Sequence, residues 1–245
     1  MENTIPKSRP VADKSAYPRL TLKEIKDEIC SHLYLEKGLL FTFWNMLKSP
    51  ANTSNIYLYE DRKKVQNPFR YLIIAVAFAT FITLSNPAFQ NFISETQDAN
   101  KGKYEKLEQG VGVPVWETFR EAQDIYISYQ NLVVLLAIPF ISLFTYLVFK
   151  RKGFNFAENM ALNCFIFGTI YWISGITNLF LYSLDVKILM ASGWIIMTIL
   201  GCYFYFRIFS INIFKAILTT IGSNVLLMIT GVTFQIIVFF ILLML

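Results

Sequence analysis

The chain has 245 residues, 55% of them hydrophobic and only 16% charged, with mean hydropathy +0.46, a formal charge of +5 and a pI near 9.0. A soluble domain of this size is about a quarter charged, so the composition excludes an ordinary soluble globular protein. The charge is also uneven: residues 1–70 hold twelve of the 22 Lys and Arg and eight of the 17 Asp and Glu.

From Asn131 onward, apolar blocks follow one another with short polar breaks. A helix needs about 20 apolar residues to cross the hydrocarbon layer. A transmembrane barrel would alternate polar and apolar residues in segments of about ten, and these blocks do not alternate. The chain therefore reads as all-α, an integral membrane helical bundle of five transmembrane helices with an amphipathic helical N-terminal region. The basic residues cluster beside apolar spans, which favours a membrane surface over nucleic acid, so no nucleic-acid partner is expected. Cys30, Cys164 and Cys202 form no spaced pair, and no disulfide framework or redox motif follows. No secretory leader is expected either, because the first 37 residues contain no apolar stretch.

Residues 1–20 read as a flexible tail, and residues 21–68 as a cytoplasmic or interfacial helical region. Thr21 and Glu24 form a capping-box pattern ahead of Leu22, Ile25, Ile29 and Leu33 at helical spacing. Gly38 breaks this amphipathic helix. "LLFTFWNMLKSP" predicts a second short helix ending before Pro50. Its face of Leu39, Phe43, Met46 and Leu47, with Trp44 alongside, suits an interface or a groove on the bundle.

The transmembrane domain is expected over 69–245, with spans at 69–85, 131–149, 160–182, 186–206 and 224–245 and an outer loop at 86–130. Asn67-Pro68 and Asn86-Pro87 bound the first span, since Pro lacks an N–H and restricts its predecessor. The loop is polar, and its second half, "WETFREAQDIYISYQ", has helical character with Trp116, Tyr126 and Tyr129 as interface anchors. Pro139 should kink the second span, with Ser142 placed to satisfy a freed carbonyl. Only "SLD" separates the third and fourth spans, which predicts a tight antiparallel hairpin. "IFSINIF", between Arg207 and Lys215, reads as an interfacial turn. The fifth span has fifteen Leu, Ile, Val and Phe from Val225 to Leu245, which favour insertion by roughly 5–9 kcal/mol.

Five spans place seventeen Lys and Arg on one side and five on the other. The basic excess marks the cytoplasm, so the amino end is expected inside and the carboxyl end on the opposite side. "EDRKK" and Arg70 form the inner anchor, where each basic residue gains about 1 kcal/mol from the anionic surface. Arg62, Lys63, Lys64 and Arg70 are thus the candidate surface for anionic lipid or an acidic partner, against the plainer reading that they only orient the chain.

At this point "LEKGLLFTFWNMLKSPANTSNIYLYEDRKKVQNPFRYLIIA" resembles the opening of an uncharacterised family of bacterial multi-pass membrane proteins, catalogued as domain of unknown function family 3667. The carrying residues are Gly38, Thr42, Met46 or Leu47, Pro50, Tyr57, Arg62, Lys64, Asn67 and Pro68. The resemblance covers roughly 40 residues and implies a helical membrane domain and little about activity; the expected location is the bacterial inner (cytoplasmic) membrane. Two departures stand out: the Cys-rich zinc ribbon common in the family is absent, and Glu60-Asp61 replaces a Gly-Lys pair.

No chemistry-bearing constellation emerges. Cys30-x-His32 offers two metal ligands where a structural zinc site needs four. "GVGVP" lacks the strand and the Lys-Ser or Lys-Thr of a phosphate loop and reads as an exposed turn. With a single histidine and no acidic pair in the spans, no catalytic set, cofactor or metal is expected. Glu158 and Asp185 read as interfacial caps.

The polar residues inside the spans say more. Asn163, Ser174 and Asn178 share one face of the third span, with Gly168 and Gly175 seven apart. Asn224, Gly231 and Gln235 share a face of the fifth. Such amides avoid lipid. They read as interhelical polar contacts, Asn163, Ser174, Asn178, Asn224 and Gln235 among them, each worth about 0.6–2 kcal/mol; the sharper alternative is the lining of a narrow polar path.

The leading expectation is a non-enzymatic membrane anchor or partner-binding platform working through residues 21–70, with the bilayer and a protein as partners. The alternative is a small oligomeric channel or permease-like protein, with a homo-oligomer as its assembly. A lipid-modifying enzyme ranks last for want of catalytic residues.

Overall fold

The computed structural model describes residues 38–112 and 114–244. The helix expected from Thr21 and the Cys30/His32 pair lie outside the described residues.

Two short helices, α1 (Leu39–Lys48) and α2 (Pro50–Asn55), lead through a π-helical turn at Ile56–Glu60 and a 3₁₀ turn at Arg62–Lys64 into α3 (Pro68–Leu84). Then follow α4 (Pro87–Val111), α5 (Val115–Ser128), α6 (Gln130–Val148), α7 (Phe156–Phe180), α8 (Val186–Phe209) and α9 (Ile213–Met244). The described residues contain no strand. Five stretches are long and apolar enough to cross a membrane: α3 with the basic turn before it, and α6, α7, α8 and α9. The protein is a multi-pass helical membrane bundle.

Local chemistry sets the boundaries. Pro opens α2, α3 and α4 at a position where a helix leaves its N–H unpaired. The side chain of Asn67 accepts from the backbone N–H groups of Phe69 and Arg70 at 3.1 and 3.2 Å, and that of Asn86 accepts from Ala88 at 2.9 Å. Asn155 and Glu158 close a reciprocal capping box at the start of α7. Asp185 caps α8 by accepting from the Lys187 N–H at 2.7 Å.

α7 is the hub, with every residue from Ala161 to Ile170 buried. α3 runs parallel to it in close contact, α6 and α8 flank it, and α9 packs across α5, α6 and α8. The core is aromatic at the end next to the Lys150–Lys152 turn, where Phe149 stacks on Phe209 with ring centroids 4.1 Å apart.

Three expectations are corrected. The outer loop 86–130 is a helical hairpin, not a loop: α4 runs 25 residues to Gly112, whose φ of +74° ends it, and α5 returns. Tyr104 stacks on Phe119 at 4.3 Å and Gln97 donates to Asp124 at 3.1 Å, so the hairpin carries its own small core. The last span begins at Ile213 rather than Asn224, because "IFSINIF" breaks only at Ser210–Asn212; Ser210 takes φ 48° and the Asn212 side chain accepts from the Lys215 N–H. Finally, Pro139 does lie inside α6, but Ser142 does not serve the carbonyl it frees; Ser142 turns to α7 instead.

Candidate functional site

The centre of the bundle is a directed polar chain. Asn163, on α7, donates from Nδ2 to Thr145 Oγ1 at 2.8 Å and Ser142 Oγ at 3.3 Å on α6, and to the Asn159 carbonyl at 2.9 Å. Its Oδ1 accepts from the Tyr205 hydroxyl on α8 at 2.8 Å. Tyr205 has a single proton and Oδ1 is an acceptor only. Ser223 on α9, 2.9 Å away, therefore donates to Tyr205. Asn163, Ser142, Thr145 and Ser223 are fully buried and Tyr205 nearly so, which makes this chain a four-helix clasp sealed from lipid and water. A second bond ties α3 to α7: Thr169 donates to the Phe165 carbonyl, leaving Tyr71 to donate to Thr169 at 3.0 Å.

Toward the other end of the bundle the polar residues of α7 and α9 pair less completely. Asn178 donates to Thr83 at 3.1 Å, but its Oδ1 is buried without a partner, as is Gln130 Nε2. Ser174, Asn224 and Gln235 make no side-chain hydrogen bond among the described residues. They line two adjoining cavities instead. One, of about 310 Å³, lies between α3, α7 and α8 and is lined by Ser174 and Asn178. The other, of about 280 Å³, lies between α6, α8 and α9 and is lined by Asn224, Gly231 and Gln235. Gln130, Tyr171, Trp194 and Met197 belong to both walls. The faces of the third and fifth spans thus meet across a shared partition, while Asn163, on the same stripe as Asn178, serves the clasp.

At the end that carries the basic turns Arg62–Lys64 and Lys150–Lys152, α1 and its following turns fold against the bundle. Thr42 donates to the Gly38 carbonyl and accepts from the backbone N–H of Gln66 at 2.9 Å, tying the start of α1 to the entry of α3. Met46 and Pro50 are buried, and Asn67 caps α3. Tyr57 meets Phe165 edge-on at 5.3 Å, under the Arg62 guanidinium at 5.7 Å. Burial raises the Tyr57 hydroxyl above its ordinary pKa, against the opposing pull of Arg62. Residues 36–80 match the model of the family described as Protein of unknown function (DUF3667). No curated protein and no solved structure matches the chain.

Within the matched segment, the described residues from Gly38 onward carry structural roles. Thr42, bonded to Gly38 and Gln66, ties α1 to the entry of α3, and Asn67 and Pro68 start α3. The segment's basic members face outward: Arg62, Lys63, Lys64 and Arg70 are all exposed. Lys152 and Lys215 are used internally, donating to the carbonyls of Ser210 and Val148 at 3.0 and 3.2 Å. Lys63, Lys64, Lys150, Arg151 and Arg207 make no ion pair among the described residues, where the sole salt bridge is Lys101–Glu105.

Tyr205, Ser223, Thr145 and Gln130 were not singled out by sequence. Tyr205 and Ser223 lie in apolar helices where one hydroxyl carries no periodic signal. Ser142 and Thr145, three apart on α6, carried the legible hint of a hydroxyl face. No group of three or more His, Cys, Asp or Glu that suits a metal ion occurs among the described residues.

Proposed function

We propose that the chain is a bacterial inner-membrane protein, with its amino end cytoplasmic and its carboxyl end opposite, that acts without catalysis as an anchor or partner-binding platform. The carrying observation is the inner face. Among the described residues, that end of the bundle has ten Lys and Arg against three Asp and Glu, and the outer end has five against eight. The excess follows the rule for cytoplasmic segments. The uncompensated cations at Lys63, Lys64, Lys150, Arg151 and Arg207 suit an acidic partner held against anionic lipid.

Lys63→Gln, Lys64→Gln and Arg151→Gln together remove exposed charge without touching a packing contact. Affinity capture of the full chain in mild detergent, read by mass spectrometry, should recover an acidic protein at least tenfold more from the wild type than from this triple variant. Equal recovery would overturn the platform. The alternative, an oligomeric channel or permease-like protein, draws on the Ser174/Asn178 and Asn224/Gln235 walls, and solute flux through reconstituted liposomes would favour it. Orientation has its own test. Lys106→Cys on the exposed side of α4 should react with an impermeant maleimide in intact cells; reaction only after permeabilisation would invert the topology.

A further inference from the structure

The outer half of α8 stands off from the bundle. Its buried residues are Val186 and Leu189, and then none until Gly201. Behind that stretch lie the two cavities with their shared wall. Three properties define what they accept.

No Asp, Glu, Lys or Arg lines either cavity. A charged group there would lose water and find no counter-ion, so the occupant is neutral. The unpaired polar atoms then specify its hydrogen bonds. Gln130 Nε2 needs an acceptor and Asn178 Oδ1 needs a donor, and a hydroxyl supplies both. Ser174, on the same wall as Asn178, adds a further hydroxyl within the apolar lining. Finally, the cavity wall faces lipid. Met190 and Trp194 are 42% and 52% exposed, and Gly193 between them has nothing within 4 Å of where a Cβ would stand. Entry is therefore sideways from the bilayer. Cavities of about 310 and 280 Å³ stand at and just below the bottom of the ligand-site range of roughly 300–1,000 Å³, enough for a small head and the start of a chain.

We propose that this two-lobed cavity binds an uncharged, hydroxyl-bearing lipid of the acylglycerol class. Its glycerol hydroxyls pair with Gln130 and Asn178 at the outer end of α6 and α7, and its acyl chain leaves past Gly193 into the bilayer. The site is independent of the basic inner face.

The test uses the full chain in phosphatidylcholine nanodiscs with a diazirine-bearing monoacylglycerol, irradiated and mapped by mass spectrometry. Adducts should concentrate on residues 171–178 and 189–197. Unlabelled monoacylglycerol should reduce them at least tenfold, and phosphatidylglycerol should not. Gly193→Leu puts a side chain into the opening from a position where a Cβ meets nothing within 4 Å, and Gln130→Leu removes a donor that has no partner to lose. Each should cut labelling about tenfold with the thermal unfolding midpoint unchanged. Labelling spread evenly over the lipid-facing helices, equal competition by phosphatidylglycerol, or indifference to both variants would overturn the assignment.

Discussion

Asn163→Leu should destabilise the bundle by roughly 2–4 kcal/mol, at about 0.6–2 kcal/mol for each interhelical hydrogen bond lost in a membrane protein. Leu keeps the branched outline, but its methyl groups are bulkier than the amide's O and NH2. In this fully buried site any overpacking adds to the polar loss. The amide joins α6, α7 and α8 directly, and α9 through Tyr205. Without it, Thr145 and Ser142 lose their donor, and the Tyr205 proton must turn to Ser223 or remain unpaired. The direction of the chain makes a sharper claim. Ser223→Ala removes only the bond that Tyr205 accepts, while Tyr205 still donates to Asn163, so its cost should be about 1 kcal/mol. Equilibrium unfolding in detergent should therefore rank Asn163→Leu well above Ser223→Ala. Equal losses would mean that the protons do not run from α9 to α6.

Much of this centre was legible because polar residues are conspicuous in apolar sequence. Asn163 and Asn178 announce themselves, and their spacing puts them on one face. What each one meets was not legible, since a partner such as Tyr205 in "GCYFYFRIF" looks like its aromatic neighbours. The cavity was hidden for the same reason. Gly193, Trp194 and Met197 lie in a helix that is apolar all round, where periodicity cannot separate a cavity wall from a lipid face. The hairpin of α4 and α5 hid behind the opposite property. "SETQDANKGKYEKLEQG" is polar throughout and contains two glycines, so it reads as loop. It is helical because Asn86 and Pro87 start it and Tyr104 and Gln97 pack it against α5. Local propensity was weak there, and tertiary contact decided the outcome.

The pair Gly168 and Gly175 carries the second large effect, because it sets how closely α3 approaches the hub. The seven-residue spacing is two turns of helix, so both glycines face the same neighbour. That neighbour repeats the interval: Gly168 lies against Tyr71 and Leu72, and Gly175 against Phe78 and Ala79. A Cβ on Gly168 would stand 2.6 Å from Tyr71 Cδ1 and 3.3 Å from Leu72 Cα; one on Gly175 would stand 2.7 Å from Phe78 Cε1 and 3.1 Å from Ala79 Cα. Neither ring is free to swing aside, since Tyr71 is buried and bonded to Thr169 and Phe78 stacks on Trp172 at 4.9 Å. The backbones themselves must separate. Small residues that allow such approach are a main source of helix association in lipid, where water provides no drive. Gly168→Val with Gly175→Val should therefore cost about 2–6 kcal/mol, at roughly 1–3 kcal/mol per overpacked site. It should also weaken the Tyr71–Thr169 bond, which depends on the same spacing. Gly193→Ala is the matched control: its Cβ meets nothing, and helix propensity favours Ala by up to about 1 kcal/mol, so the protein should be unchanged or slightly more stable. Unfolding midpoints of the three proteins in one detergent decide the matter, and a double valine variant as stable as Gly193→Ala would show that α3 does not rest on these two glycines.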